Sequence, residues 1–196
     1  HPLAWLRRGE GMVGFGSAAI IEVGGHRANP PDGSQAAALA DTWRAVAAAA
    51  SVSDQVGLPG TGLIAFGALS FDPSSATAST LIVPQFVFGR RAGRSWITTI
   101  HRAGAEAPIT PSAREWGPAW SATVGPGELD APGYQAAVRN GLEAIAAGEV
   151  SKVVLARDLI GSVPASADLR RLVRALATGY PDVWTYAVDG IIGASP

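Results

Sequence analysis

At 196 residues the chain has the length for one substantial domain with a core of its own. A net charge of −1 gives no electrostatic footprint for nucleic acid or an anionic membrane, and the absence of cysteine excludes a disulfide framework and any thiolate metal site, which fits a cytoplasmic protein. The apolar share is 47% and the charged share 16%, where about a quarter charged is usual, so the composition calls for large buried sheets or for a surface that something else covers.

Residues Met12 to Val23 are apolar, studded with glycine and rich in β-branched side chains, which predicts strand. Ser34 to Ser51 predicts a helix with Ser34 as N-cap and Leu39, Trp43, Val46 and Ala50 on one face. Strands are expected at Gly62–Phe71, stopped by Asp72-Pro73, at Thr80–Phe88 and at Arg94–Arg102. In the last of these Trp96, Thr98 and Ile100 alternate with Ile97, Thr99 and His101. Residues 103–133 change character: five prolines punctuate them and no period persists, which marks a connection within the domain. Its length implies that it wraps a surface or carries a short strand. Tyr134 to Ala147 then reads as a helix, with Val138, Leu142 and Ile145 on one stripe and Gly148 as its stop. Lys152 to Ile160 reads as a strand. Asp168 to Thr178 reads as a helix with Leu169, Leu172, Val173 and Leu176 inward and Arg170, Arg171 and Arg174 outward. Val183–Val188 is a further strand, and Ile191 to Pro196 opens another element. The longest uncharged apolar stretch, Val56 to Phe71, is broken by four glycines and Pro59 and is too short for a bilayer. The N-terminus lacks the plan of a signal peptide.

Several motifs imitate function. Gly9-Glu10-Gly11-Met12-Val13-Gly14 matches the dinucleotide fingerprint, with Asp32 at a suitable distance, but no strand precedes it and no helix opens on its last glycine. A glycine-rich strand or turn is the better reading. His1, His26 and His101 have no partners at metal-ligand spacing, which argues against zinc, and His101 reads as a solvated strand residue. No serine stands in a nucleophile elbow. The three arginines of the last helix read as a solvated face, with an anion site as second choice.

Lys152 is the chain's only lysine among 15 basic residues. Chance in an arginine-rich composition is the rival explanation, but lysine, unlike arginine, can release its proton near neutral pH. On a strand it would share a face with Val154, Ala156 and Asp158, and partial desolvation there would depress its pKa. Lowering it from about 10.4 to near neutral costs about 4 kcal/mol and yields a usable general base.

The run from Gly141 through Glu149-Val150-Ser151-Lys152-Val153-Val154-Leu155-Ala156-Arg157, followed by Gly193-Ala194-Ser195-Pro196, resembles the chorismate-utilising enzymes, and among them the isochorismate synthases most. Trp5–Gly11, Phe66–Asp72 and Val83-Pro84-Gln85-Phe86 occur in the order that family shows, so the resemblance spans nearly the whole chain. It implies an α/β fold of the chorismate-binding type, an α+β sandwich with large, mainly antiparallel sheets and helices packed outside. Residues 1–196 would be the N-terminal part of a single such domain, with 103–133 a connection inside it.

The resemblance also implies chemistry. Water attacks carbon 2 of chorismate while the hydroxyl at carbon 4 leaves; Lys152 acts as general base on the water, and Gly193, Ala194 and Ser195 line the substrate. A glutamate just after the Gly-Ala-Ser-Pro motif acts as acid. Mg2+ is the implied cofactor, its ligands expected beyond Pro196 and none within these residues, so this portion alone is expected to be inactive. Lysine at this position favours the water-using branch, the isochorismate and salicylate synthases, over the ammonia-using anthranilate synthases. An aminodeoxychorismate-type converter and a non-catalytic truncated module stay open as alternatives, as do the oligomeric state and the choice between menaquinone and siderophore pathways.

Overall fold

The computed structural model describes residues 1–24, 35–72 and 76–196. Ser34, His26, Asp32 and Pro73 lie outside the described residues. The chain divides into two compact units, His1–Trp116 with Leu169–Pro196, and Gly117–Asp168.

The first unit is built on a six-stranded antiparallel sheet. In chain order its strands are β1 (Leu3–Arg7), β2 (Glu10–Phe15), β6 (Phe86–Arg91), β7 (Arg94–Thr99), β10 (Trp184–Val188) and β11 (Ile191–Ser195), and across the sheet they run β11-β10-β1-β2-β6-β7. Three of its connections are two-residue hairpins, Arg8-Gly9, Ala92-Gly93 and Asp189-Gly190. Both residues of each have positive φ. That is the mirror-image turn whose twist matches the flanking strands, and it explains a glycine at each second position. Gly9-Glu10-Gly11 is therefore part of a hairpin, as its sequence context indicates. Glu10 also ties two hairpins together, since its carboxylate accepts the Ala92 N–H of the next one at 2.7 Å.

A smaller sheet, β3 (Ala19–Val23), β5 (Ser79–Val83) and β4 (Phe66–Ala68) in spatial order, covers part of one face of the large one. Leu3, Phe66 and Val188 are buried together, with Met12, Ile64, Ala68 and Ile82 packed around them. Burial of each large side chain contributes about 1.5–3 kcal/mol. Helix α3 (Arg170–Gly179) lies on the opposite face, where Val173 meets Ala4 and Ala187, with Leu6 and Ile192 beside them. The small alanines let the helix approach closely. The strands at the centre of the sheet are thus apolar on both faces, and this accounts for much of the low charge.

Helix α1 (Gln35–Ala49) matches the sequence reading closely. Leu39 is buried, Trp43, Val46 and Ala50 are half-buried, and their neighbours on the helix are mostly exposed. A residue the periodicity did not mark ties it down: buried Gln35 accepts both the backbone N–H and the hydroxyl of Ser79, at 3.1 and 2.7 Å. In β7 and the residue that follows it, Trp96, Thr98 and Ile100 face inward as their alternation implies, while His101 is exposed.

Other expectations are corrected. The single strand at Thr80–Phe88 is two strands, β5 and β6, because Pro84 has no N–H to continue a ladder. Of Gly62–Phe71 only Phe66–Ala68 pairs as strand. The arginines of α3 are not simply solvated: Arg170 and Arg174 both stack on Trp116, each 5.2 Å from its ring, and Arg170 donates to the Glu115 carbonyl at 2.7 Å.

The second unit holds β8 (Thr123–Pro126), α2 (Ala131–Ala146) and β9 (Leu159–Ser162), with β8 and β9 paired antiparallel. β8 is the short strand that the length of the 103–133 connection implies. Asp130 caps α2 by accepting the Gly133 N–H at 2.8 Å, and Gly148, with φ of 75°, follows its end. Leu142 and Ile145 of the α2 stripe are exposed.

Packing and loop hydrogen bonding in the first unit can each be tested. A Cβ at Gly89 would overlap the Trp96 indole, so Gly89→Ala should lower stability by about 1–3 kcal/mol, read as a drop in denaturant midpoint at unchanged slope. In the loop before β4, the Thr61 hydroxyl and the N–H groups of Gly57 and Val56 bond the Asp54 carboxylate and hold its pKa below the usual value. A depressed carboxylate stabilises above its unfolded pKa and loses that contribution as pH falls through the folded one. The Tm difference between wild type and Asp54→Asn should therefore be constant above about pH 5 and shrink below about pH 4.

Candidate functional site

The sequence places chemistry at Lys152 and at Gly193-Ala194-Ser195. These fall in different units, and each is described by itself.

Lys152 lies in the second unit, after α2. The Lys152–Ile160 strand is corrected: only Leu159 onward pairs, and residues 152–158 run without regular structure. β8 is four residues long, so no ladder partner is left for them once it has met β9. Asp158 takes over where the ladder stops. Its carbonyl accepts the Gly127 N–H at 3.3 Å, and its carboxylate accepts the Glu128 N–H at 3.0 Å. Gly141 of α2 faces this segment, for a Cβ there would stand 3.0 Å from Val153 and 3.9 Å from Leu155. Val153 and Leu155 therefore turn toward the helix. Val154 is 81% exposed, and Lys152 is exposed as well. The burial that the sequence reading places around Lys152 is not supplied by this unit.

Gly193, Ala194 and Ser195 form most of β11. Register fixes which way each side chain points, because partners directly opposite share a face. Gly193 opposes Tyr186 and Ser195 opposes Trp184 on β10, and Tyr186 in turn opposes Trp5 on β1. Ala194 opposes Thr185 and points to the α3 side of the sheet. A Cβ at Gly193 would stand 2.5 Å from the Tyr186 hydroxyl. The Tyr186 ring stacks on Trp5 with centroids 5.7 Å apart, Trp5 meets Trp184 at 5.8 Å, and the Arg7 guanidinium lies 5.4 Å from the Trp184 ring. Arg7 is itself held by the Asp182 carbonyl, which accepts from its Nε at 2.9 Å, and Arg8 pairs with the Asp182 carboxylate at 2.8 Å. Trp184 and Tyr186 are not among the residues that the sequence singles out, and Trp5 and Arg7 enter it only as part of the Trp5–Gly11 motif. Their alternation in Leu3–Arg7 and Trp184–Val188 was the available signal.

Among the described residues no group of three or more His, Asp or Glu is placed to hold a metal ion. No helix of the described residues is long and apolar enough to cross a membrane.

Antiparallel sheets with helices packed outside them define a mixed α/β fold. The sequence profile of the family described as "Chorismate binding enzyme" matches residues 6–196. The chain belongs to that family, and its fold is the α/β, mainly antiparallel one that the resemblance implies. No curated protein and no solved structure matches it.

Exposure of Lys152 has a direct readout. An amine-reactive reagent should modify one side chain per folded molecule, at Lys152, at a rate close to that in the denatured chain. Mass spectrometry of the modified peptide measures it, and protection in the folded state would contradict the exposure.

Proposed function

We propose that the protein carrying this chain is an isochorismate synthase, an isomerase that adds water at carbon 2 of chorismate and expels the hydroxyl at carbon 4. The observation that carries the reading is Lys152 at the head of Lys-Val-Val-Leu-Ala-Arg in a chain of the chorismate-binding family. Water is a poor nucleophile until a base takes its proton. Lys152 is the chain's one side chain of its kind, and it is exposed to an incoming water and substrate. In the proposed step the water oxygen bonds to carbon 2, its proton passes to Lys152 Nζ, the ring double bonds shift, and the carbon 4 oxygen leaves with a proton from an acid expected after Pro196.

Mg2+ is the proposed cofactor, supplying charge against a substrate carboxylate from ligands outside the described residues. On the same resemblance these 196 residues alone should turn over no chorismate. Cytoplasmic residence, and supply of isochorismate to menaquinone or to a salicylate-derived siderophore, belong to the same proposal. A second reading, a non-catalytic binding module, draws on the exposed apolar Leu142, Val154 and Ile160.

Product analysis of the natural full-length protein with chorismate and Mg2+ tests the assignment. Isochorismate is expected; anthranilate formed with ammonia would overturn it, and release of salicylate would move it to the neighbouring branch. Lys152→Ala and Lys152→Arg should each lower kcat by about 10²–10⁴-fold, because arginine keeps the charge but cannot accept the proton. Normal turnover by either variant would remove the base assignment.

A further inference from the structure

We propose that the face formed by Trp5, Trp184 and Tyr186 is the surface on which the chorismate ring rests beside β11, with Tyr186 its specificity-determining residue. The inference deepens the chorismate reading and rests on it. The geometry begins at Gly193. Tyr186 stands directly opposite it across the ladder, and the tyrosine's hydroxyl end fills the space a side chain at 193 would take. The glycine of the Gly-Ala-Ser-Pro motif thus seats Tyr186. The bare backbone lets the ring lie down along β11, and its hydroxyl has no hydrogen-bond partner among the described residues.

Three features then stand on one face within one unit. Trp5 is 40% exposed and stacks on Tyr186 with the two ring planes 30° apart, so the pair presents aromatic surface beside β11. The Tyr186 hydroxyl can donate to or accept from a ring oxygen. Arg7 stands at the Trp184 end, its Nε fixed by the Asp182 carbonyl, so its remaining N–H groups are oriented to meet a carboxylate. Two carboxylates lie near it among the described residues: that of Asp182, which pairs with Arg8, and that of Glu10, which stands opposite Arg7 in the β1–β2 ladder and accepts the Ala92 N–H. A flat ring bearing a hydroxyl and carboxylates fits this combination. A ligand without a hydroxyl and a carboxylate would leave the Tyr186 hydroxyl and the Arg7 guanidinium unmatched, and polar groups covered without a partner oppose binding. These side chains are held by stacking and by backbone hydrogen bonds before any ligand arrives, so little ordering is needed on binding.

The test follows the indole N–H resonances of this chain as chorismate is added. Trp5 and Trp184 should shift, while Trp96, buried against Gly89 in the same sheet, should not. Tyr186→Phe, which keeps the ring and removes the hydroxyl, should weaken chorismate binding about tenfold, as loss of one hydrogen bond to a polar ligand does. Gly193→Ala, which displaces the ring, should weaken it at least as much with the Trp96 resonance unmoved, and that resonance reports an intact fold. Unshifted Trp5 and Trp184, or equal affinity in Tyr186→Phe, would overturn the proposal. Product analysis of the full-length protein separates the two failures. Anthranilate formation alongside shifts at Trp5 and Trp184 would sink the isochorismate reading and uphold the ring surface. Isochorismate formed by Tyr186→Phe at unchanged KM would do the reverse.

Discussion

The pairing of β1 with β10 is the constraint from which the first unit follows. It brings Leu3–Arg7 beside Trp184–Val188, from opposite ends of the chain, and fixes their register at Ala4–Ala187, Trp5–Tyr186 and Leu6–Thr185. A slip of one residue would exchange the faces. Leu3 and Val188 would leave the cluster under the small sheet, and Ala4 and Ala187 would no longer offer α3 its close approach. The same register brings Trp5, Tyr186 and Gly193 into one row, so the core and the aromatic face have a single origin.

Local patterns carried much of this architecture in the sequence. The Leu39, Trp43, Val46 spacing identified the buried face of α1, and the alternation through Trp96 identified that of β7, because each depends on near neighbours alone. That Gly9-Glu10-Gly11 is a turn and not a nucleotide loop was legible from its glycines and its flanking residues. The failures are those of partnership. Lys152 to Asp158 has the composition of a strand, yet a strand exists only where another offers its N–H and C=O groups, and β8 ends at Pro126. The stacking of Arg170 and Arg174 on Trp116 joins residues more than fifty positions apart, and no helical period encodes it.

The candidate site was readable to a similar depth. Rarity singled out Lys152 and resemblance marked Gly193-Ala194-Ser195, and neither signal depends on geometry. What lay beyond the sequence was the row of aromatic side chains next to Gly193, since it requires three strands to meet. The motif glycine acquires a physical reason only when Tyr186 is laid across it. The exposure of Lys152 could not be foreseen from its rarity, because burial belongs to the surroundings and not to the residue.

The β1–β10 ladder also orders events during synthesis. The β1–β2 and β6–β7 hairpins close from neighbouring segments and can form as soon as they emerge. β1 cannot receive β10 until roughly 180 residues have been made, which at ribosomal rates of about 5–20 residues per second leaves its open edge waiting for about 10–40 s. An unsatisfied strand edge with Trp5 and Leu3 on it is a template for pairing with other chains in that interval. Whatever shields that edge until β10 arrives therefore guards the chain against pairing with its neighbours.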